Sequence, residues 1–175
     1  MSNRNKYSKI YFKEEQRFRQ VWLWAIIILT SAFPWVGMII QIILGQKVGN
    51  NPAPDWITIL IWLVFGIGFP VLFYSLRLIT EVRQDGIHLR FSPFHRKFQI
   101  YSYDEIESYA VRAYKPIREF GGWGIRYGLS GKAYNVYGKK GIQIIFKNKK
   151  KLLIGTQKPE EFCKAISKAT SQKTF

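Results

Sequence analysis

The residues best suited to chemistry are basic and aromatic, and they concentrate in one glycine-rich segment, 115–140. Lysine and arginine pair with phosphate or carboxylate, and the planar fork of Arg126 suits either group best. The segment therefore predicts a surface for an anionic headgroup or an acidic partner segment. An architectural interpretation stays open, because six glycines would also let a bent hairpin close a small barrel around the aromatic rings. The candidate binding residues are Arg118, Trp123, Arg126, Tyr127, Lys132, Lys139 and Lys140.

Further basic residues cluster at a hairpin tip near residue 150 and beside two long apolar segments. Near an anionic membrane surface, each such residue contributes on the order of 1 kcal/mol of attraction. The alternative is a solvated turn for the tip and a topology signal for the others. The candidate membrane-surface residues are Lys13, Arg17, Arg19, Arg77, Lys147, Lys149, Lys150 and Lys151.

Residues for catalysis or metal binding are sparse. His88 and His95 belong to no HExxH motif or metal-ligand cluster, and strand alternation places His88 on an outward face. Cys163 falls in an apolar helical pattern that is typical of a core cysteine. The run 128–132 has the spacing of neither a nucleophile elbow nor a phosphate loop. We therefore expect no enzyme activity, no metal and no cofactor.

Two uncharged segments, 21–44 and 56–76, must position these residues relative to a membrane. Twenty-one helical residues span about 30 Å, the thickness of a bilayer's hydrocarbon core. Each segment therefore predicts a transmembrane helix, kinked at Pro34 or Pro70. Small residues would let the two helices approach closely, and two central tryptophans would pack between them. These residues are Gly37, Gly66, Gly68, Trp35 and Trp62.

The distribution of the net charge of +16 along the chain indicates its orientation in a membrane more directly than it indicates a binding partner. It lies in segments 1–20 and 77–175, whereas the connector 45–55 is neutral. The positive-inside rule then places both termini in the cytoplasm, with the protein in the inner (cytoplasmic) membrane of the cell.

The first apolar run is too long for a cleavable signal peptide, so we expect it to remain in the mature protein. One cysteine excludes an intramolecular disulfide.

The basic cytoplasmic segment 1–20 is predicted to be partly helical and to run into the first span. Phe18, Val21 and Trp22 would share one helical face, and Glu15 with Arg19 would form a favourable i,i+4 pair.

Residues 77–175 predict a small sheet structure closed by a helix. Short alternating segments separated by turn residues predict seven or eight strands, with a tight hairpin at Asp85-Gly86. From Pro159 the apolar period changes to three or four residues, which predicts a C-terminal amphipathic helix. The fold class is α+β: a two-helix transmembrane hairpin, then an antiparallel β-sandwich or barrel of about seven strands with a C-terminal helix. This is the layout of pleckstrin-homology-like (PH-like) domains.

The chain resembles bacterial two-span membrane proteins that carry a C-terminal bacterial PH-like domain. The resemblance covers nearly the whole chain, and it implies the fold but no reaction. Its residues are Thr80-Glu81-Val82, Asp85-Gly86-Ile87, Tyr103-Asp104-Glu105-Ile106, Gly121-Gly122-Trp123-Gly124-Ile125-Arg126, Ala133-Tyr134-Asn135-Val136, Gly141-Ile142, Leu153-Ile154-Gly155-Thr156-Gln157 and Pro159-Glu160-Glu161-Phe162.

These patterns favour a non-enzymatic membrane protein whose PH-like domain binds anionic lipid headgroups or a protein partner. The first alternative is an oligomerising or scaffolding subunit, in which the hairpin binds other membrane helices or a second copy. The next is a lipid-modifying enzyme, which a pocket holding His88 or His95 beside a carboxylate would favour. A transporter is disfavoured because neither span carries a charge. A nucleic-acid partner is not expected, since the domain is tethered at a membrane and has no matching motif.

Overall fold

The computed structural model describes residues 9–47, 49–128 and 130–172. They form two compact units: a hairpin, Phe18–Leu76, and a sheet unit made of the residues on either side of it. Residues 1–8 of the basic N-terminal segment lie outside the described ranges, as does Leu129 of the segment 128–132.

The hairpin consists of two helices that are long and apolar enough to cross a membrane. Helix α1 covers Val21–Ile43 and is π-helical over Met38–Ile43; helix α2 covers Asp55–Ser75 and is π-helical over Trp62–Gly68. Only 11% and 6% of their most apolar windows are buried within the protein. A core helix of a globular domain would be mostly buried, so these helices differ from one.

A tryptophan of α1 donates a hydrogen bond to the backbone of α2 one turn before Pro70. Pro70 has no backbone N–H, so the carbonyl of Gly66, four residues earlier, has no helical donor from that position. The indole N–H of Trp35 donates to this carbonyl at 3.2 Å. The rings of Trp35 and Trp62 meet edge to face, with centroids 5.2 Å apart, which confirms the predicted packing role of both tryptophans.

Gly66 lies where tryptophans of both helices meet. A Cβ on Gly66 would lie 2.9 Å from Trp62 Cδ1 and 3.4 Å from Trp35 Nε1. A Cβ on Gly37 would meet nothing within 4 Å, and one on Gly68 would meet only Leu63 O of its own helix, at 3.1 Å. The expected packing role therefore applies to Gly66 and is wrong for the other two.

The first sheet has four antiparallel strands in the order β1-β2-β3-β4. The pair β2–β3 forms the predicted tight hairpin, since Arg83 pairs with Gly86 across a two-residue turn. The strands are β1 (Ile10–Arg17), β2 (Arg77–Arg83), β3 (Gly86–Ser92) and β4 (Gln99–Tyr101).

The helix expected before the first span is wrong for Ile10–Arg17, which forms strand β1 beside β2. Alternate residues of β1 are buried, but two of them, Glu14 and Gln16, are polar. Glu14 accepts hydrogen bonds from Thr156 Oγ1 at 2.5 Å and Gln157 N at 2.9 Å, and Gln16 Nε2 donates to Gly155 O at 2.7 Å. The sheet unit is therefore assembled from both sides of the hairpin.

The second sheet has five strands in the order β5-β8-β9-β7-β6. All its pairs are antiparallel except β7–β9, which is parallel and departs from the expected antiparallel arrangement. The strands are β5 (Ile106–Ala113), β6 (Gly124–Gly128), β7 (Gly131–Asn135), β8 (Lys140–Phe146) and β9 (Lys151–Gly155). A single 3₁₀ turn, Tyr103–Glu105, precedes β5, and a short helix α3, Pro116–Phe120, precedes β6.

The predicted closing helix is present as α4, Pro159–Ser171. Its buried face carries Phe162, Ala165, Ile166 and Ala169, and the Phe162 ring stacks on Phe12 of β1 at 5.0 Å. The unit is thus a mixed α+β structure of two sheets and a C-terminal helix. The described ranges contain nine strands instead of about seven, and the two sheets do not close on each other.

His88 is not at the surface, contrary to the outward position predicted from strand alternation. Its side chain is 1% exposed, and its Nε2 lies 2.9 Å from Asp85 Oδ1. The segment between β3 and β4 covers this face, since the Phe98 ring lies 6.0 Å from the imidazole. The guanidinium groups of Arg83 and Arg90 also lie over Phe98, at 5.5 and 4.8 Å. Alternation identifies the face of a strand but not what covers it.

Candidate functional site

A cleft of about 740 Å³ lies where the β6–β7 and β8–β9 turns approach the end of β4. It is called the basic cleft below, because lysine is its commonest lining residue. The residues that line it are Tyr101, Glu105, Tyr127, Gly128, Gly131, Lys132, Phe146, Asn148, Lys149, Lys150, Lys151 and Leu152.

Two glycines in the lining of the basic cleft lie against the backbone of neighbouring segments. Gly131 has φ +96°, and a Cβ there would lie 2.3 Å from Lys151 O. A Cβ on Gly128 would lie 2.2 Å from Glu119 O. Neither separation is compatible with a side chain, so only glycine permits this backbone approach. The parallel pairing of β7 with β9 then brings Lys132 beside Leu152 and sets the two basic segments side by side.

Lys132 is held over two tyrosine rings. Its Nζ lies 4.7 Å from the ring centroid of Tyr134 and 5.4 Å from that of Tyr127. Each cation–π contact of this kind contributes roughly 0.5–1 kcal/mol at an exposed site. Among the described residues no carboxylate forms an ion pair with this ammonium group, so its positive charge remains available to a ligand.

A polar network supports Lys132 from behind. The hydroxyls of Tyr134 and Tyr101 donate to Gln99 Oε1 at 2.8 and 3.1 Å. Burial raises the pKa of both phenols, so both remain neutral donors at physiological pH. Burial, with a smaller effect from Lys132, lowers the pKa of His95, whose Nε2 lies 3.1 Å from Gln99 Nε2. This network supplies no negative charge to offset the lysines.

The turn between β8 and β9 carries Lys149 and Lys150 and forms another part of the lining of the basic cleft. Phe146 O accepts a hydrogen bond from Lys149 N at 2.8 Å, and Asn148 Oδ1 accepts one from Lys150 N at 3.0 Å. Lys149 Nζ donates to both carboxylate oxygens of Glu107, at 2.7 and 2.9 Å. Four lysines against the single acid Glu105 line the cleft, so its lining is strongly positive.

The structure brings together parts of both predicted groups of residues. From the glycine-rich segment, Tyr127 and Lys132 line the basic cleft; from the hairpin tip, Lys149, Lys150 and Lys151 line it. Two aromatic residues of the lining, Tyr101 and Phe146, were not predicted from the sequence. Their ring centroids lie 5.6 Å apart, and together they are called the aromatic floor of the basic cleft. Only the strand pairing could have identified it.

The remaining candidates of the glycine-rich segment lie outside this lining. Arg118 lines a second cavity of about 730 Å³ that shares Tyr127 and Gly128 with the cleft. Arg126 folds back locally, since its Nε donates to Trp123 O at 2.9 Å. Lys139 and Lys140 lie where β8 begins, with Lys139 O accepting from Tyr114 N at 2.8 Å.

Several predicted membrane-surface residues already have acidic partners in the sheet unit. Lys13 Nζ lies 3.2 Å from the nearly buried Glu81. Arg17 and Arg77 share one carboxylate oxygen of Glu15, at 2.8 and 3.5 Å. Arg19 and Lys147 are exposed; Lys147 belongs to the β8–β9 turn but does not line the cleft.

A pocket that holds His88 or His95 beside a carboxylate would favour an enzyme, and the structure contains only part of this arrangement. His88 does lie beside a carboxylate, that of Asp85, but only 1% of its side chain is exposed. Among the described residues, no group of three or more His, Cys, Asp or Glu side chains is arranged to hold a metal ion.

Comparison with known proteins places the chain in a family. A family of unknown function, DUF6141, matches residues 3–172, nearly the whole sequence. The chain belongs to this family. The match includes the hairpin and the sheet unit together, so the two are parts of one family architecture. Neither the curated proteins nor the solved structures contain a significant match to this member of DUF6141.

Proposed function

We propose that this member of DUF6141 is a two-span protein of a bacterial inner membrane with both termini in the cytoplasm. In this proposal its sheet unit is a PH-like domain that binds anionic lipid headgroups in the basic cleft and catalyses no reaction. The observation that carries the proposal is the convergence of four lysines on one concavity with an aromatic floor.

The size and lining of the basic cleft suit a lipid headgroup. Small-molecule sites commonly have volumes of about 300–1,000 Å³, and this cavity lies within that range. Lysine ammonium groups attract phosphate as point charges, and the rings of Tyr101 and Phe146 offer apolar contact to the glycerol and the start of an acyl chain. A scaffolding role has less support, because Trp35, Trp62 and Gly66 already pack on one another within the hairpin.

The membrane assignment rests on the hairpin and on charge. Both helices have the required length and expose apolar side chains over most of their surface. The segments before α1 and after α2 carry the net positive charge, whereas the connector, with Lys47 and Asp55, is neutral. The PH-like assignment rests on successive sheets followed by a C-terminal helix. In this proposal, β1 is an additional strand supplied from before the first span.

Headgroup binding is tested with the full chain in nanodiscs of zwitterionic lipid. Dihexanoyl phosphatidylglycerol and dihexanoyl phosphatidate, both short-chain lipids, are titrated and their dissociation constants measured. The double substitution Lys132→Gln with Lys151→Gln removes two charges from the cleft. The matched control, Lys139→Gln with Lys140→Gln, removes two charges elsewhere in the same sheet. Weaker and less salt-sensitive binding in the first variant alone supports the proposal.

Equal losses in the two double variants would show non-specific attraction to a basic surface and overturn the proposal. Undiminished binding in both would do the same.

The orientation is tested through the single cysteine, Cys163, which is half-buried on α4. A membrane-impermeant maleimide should label it in lysed spheroplasts but not in intact ones. Labelling of intact spheroplasts would place the sheet unit outside and contradict the cytoplasmic assignment.

A further inference from the structure

The β8–β9 turn contains a lysine in a backbone conformation that lysine rarely adopts. Lys149 has φ 63°, and among the described residues it is the one non-glycine with positive φ. The left-handed region disfavours an ordinary side chain by roughly 1–2 kcal/mol relative to glycine. Asparagine also tolerates it, so the turn itself does not require lysine. A strained residue beside a cleft indicates a role for its side chain.

The ion pair made by Lys149 does not account for its presence through stability. Lys149 and Glu107 have side chains that are 75% and 41% exposed. Exposed pairs contribute about 0–1 kcal/mol, less than or at most comparable with the backbone strain. The ion pair engages the charge of Lys149 at the wall of the cleft. Lys132 instead lies over aromatic rings and, within the described ranges, has no carboxylate partner.

We infer that Lys149 selects the ligand of the basic cleft and that Glu107 is a counter-ion which only a strongly charged ligand displaces. The favoured ligand is then a phosphomonoester lipid headgroup, which carries a charge of about −1.5 to −2 at neutral pH. A phosphodiester headgroup carries one negative charge, the same as the Glu107 carboxylate, and gains little by displacing it. This inference rests on the proposed function and adds the class of headgroup.

The test compares dihexanoyl phosphatidate, a phosphomonoester, with dihexanoyl phosphatidylglycerol, a phosphodiester, on the full chain in zwitterionic nanodiscs. We expect the wild type to bind phosphatidate more tightly by about two- to fivefold, the contribution of one exposed charge pair. Lys149→Asn keeps a residue suited to the turn and should abolish this preference. Glu107→Gln removes the competing carboxylate and should strengthen binding of phosphatidylglycerol, which narrows the preference.

Lys147→Asn is the matched control, because it makes the same change in the same turn outside the lining of the cleft. Its preference should equal that of the wild type. Thermal melts accompany each variant, and Lys149→Asn should melt at or above the wild-type temperature because it relieves strain.

Three outcomes separate the inference from the proposed function. If Lys149→Asn retains the preference, or if Lys147→Asn loses it equally, the inference is wrong, while a selective loss in Lys132→Gln with Lys151→Gln still supports headgroup binding. If no cleft variant changes binding, both fail. Glycerol 3-phosphate serves as the soluble competitor: affinity equal to that of phosphatidate would support selection of a phosphomonoester but overturn a lipid as its source.

Discussion

Glu14 in the strand before the first span accepts a hydrogen bond of 2.5 Å from Thr156 Oγ1, 142 residues later in the sequence. Glu14 is 9% exposed and Thr156 is 1% exposed. The same carboxylate accepts from Gln157 N at 2.9 Å, just before α4 begins. This pair fastens β1 to the corner between β9 and α4, so the sheet unit depends on a segment that the hairpin separates from the rest.

Replacing Glu14 with alanine should therefore destabilise the sheet unit. The buried Thr156 hydroxyl and the Gln157 amide would lose their acceptor, which costs about 1–3 kcal/mol for a buried polar group. Thermal unfolding of the full chain in detergent micelles, followed by circular dichroism, measures the change. Glu160→Ala, at an exposed position of α4, is the control and should shift the midpoint little. Equal shifts in both would contradict the anchoring role of Glu14.

The hairpin offers a second prediction, at Trp35. Trp35→Phe keeps an aromatic ring against Trp62 but leaves the Gly66 carbonyl without the indole donor. Hydrogen bonds between helices in membranes contribute roughly 0.6 kcal/mol on average and up to about 1.7 kcal/mol. We expect a loss in this range when the chain is unfolded by titrating dodecyl sulfate into mixed micelles. Trp56→Phe, at an exposed position, is the matched control, and an equal loss there would exclude a specific role for the Trp35 bond.

Strands β2–β9 could be predicted because their apolar alternation and turn residues are strong local signals. Strand β1 could not, since its buried positions include Glu14 and Gln16, whose partners lie near residue 155. Buried polar residues with distant partners remove the period-2 pattern of hydropathy. His88 shows the same limit, because the Phe98 segment that covers it leaves no trace in the local alternation.

The candidate site could be predicted as residue types but not as an arrangement. The lysines of the glycine-rich segment and of the hairpin tip stood out by composition, yet their juxtaposition depends on the parallel β7–β9 pair. Such a pair joins strands that are not adjacent in sequence, and no turn signal marks it. Arg126, the residue with the most suitable side chain by type, instead binds the Trp123 carbonyl.

Acidification should weaken the sheet unit through Glu81. Burial of this carboxylate opposes its ionisation, but hydrogen bonds and charges from Arg83 and Lys13 outweigh burial and hold its pKa below the ordinary value of 4.5. The unfolded chain therefore binds the proton first as the pH falls. The stabilisation is complete above about pH 4.5 and is lost as the pH falls through the lower pKa of the folded state.

Glu81→Gln should make the unfolding midpoint depend less on pH between about pH 6 and about pH 3, a range that brackets the ordinary pKa of a carboxyl group. It should also lower stability at neutral pH by about 1–3 kcal/mol, since Arg83 would lose its buried partner. Glu15→Gln is the comparison: Arg17 lowers the pKa of Glu15 as well, but this carboxylate is more exposed and should matter less. If Glu81→Gln lost stability at low pH as steeply as the wild type, Glu81 would not be the source of this pH dependence.

The backbone approach at Gly131 should tolerate no side chain. Gly131→Ala combines a positive φ with a Cβ placed 2.3 Å from Lys151 O, so β7 and β9 must separate where they form one wall of the basic cleft. Strained backbone positions of this kind cost about 1–3 kcal/mol before any displacement of the strands. We expect a lower melting temperature together with weaker binding of dihexanoyl phosphatidate. Gly121→Asn is the control, because Gly121 has φ +70° with open space around it and asparagine accepts that conformation. If Gly131→Ala melted like Gly121→Asn and bound lipid normally, the close approach of β7 and β9 would not be what shapes the cleft.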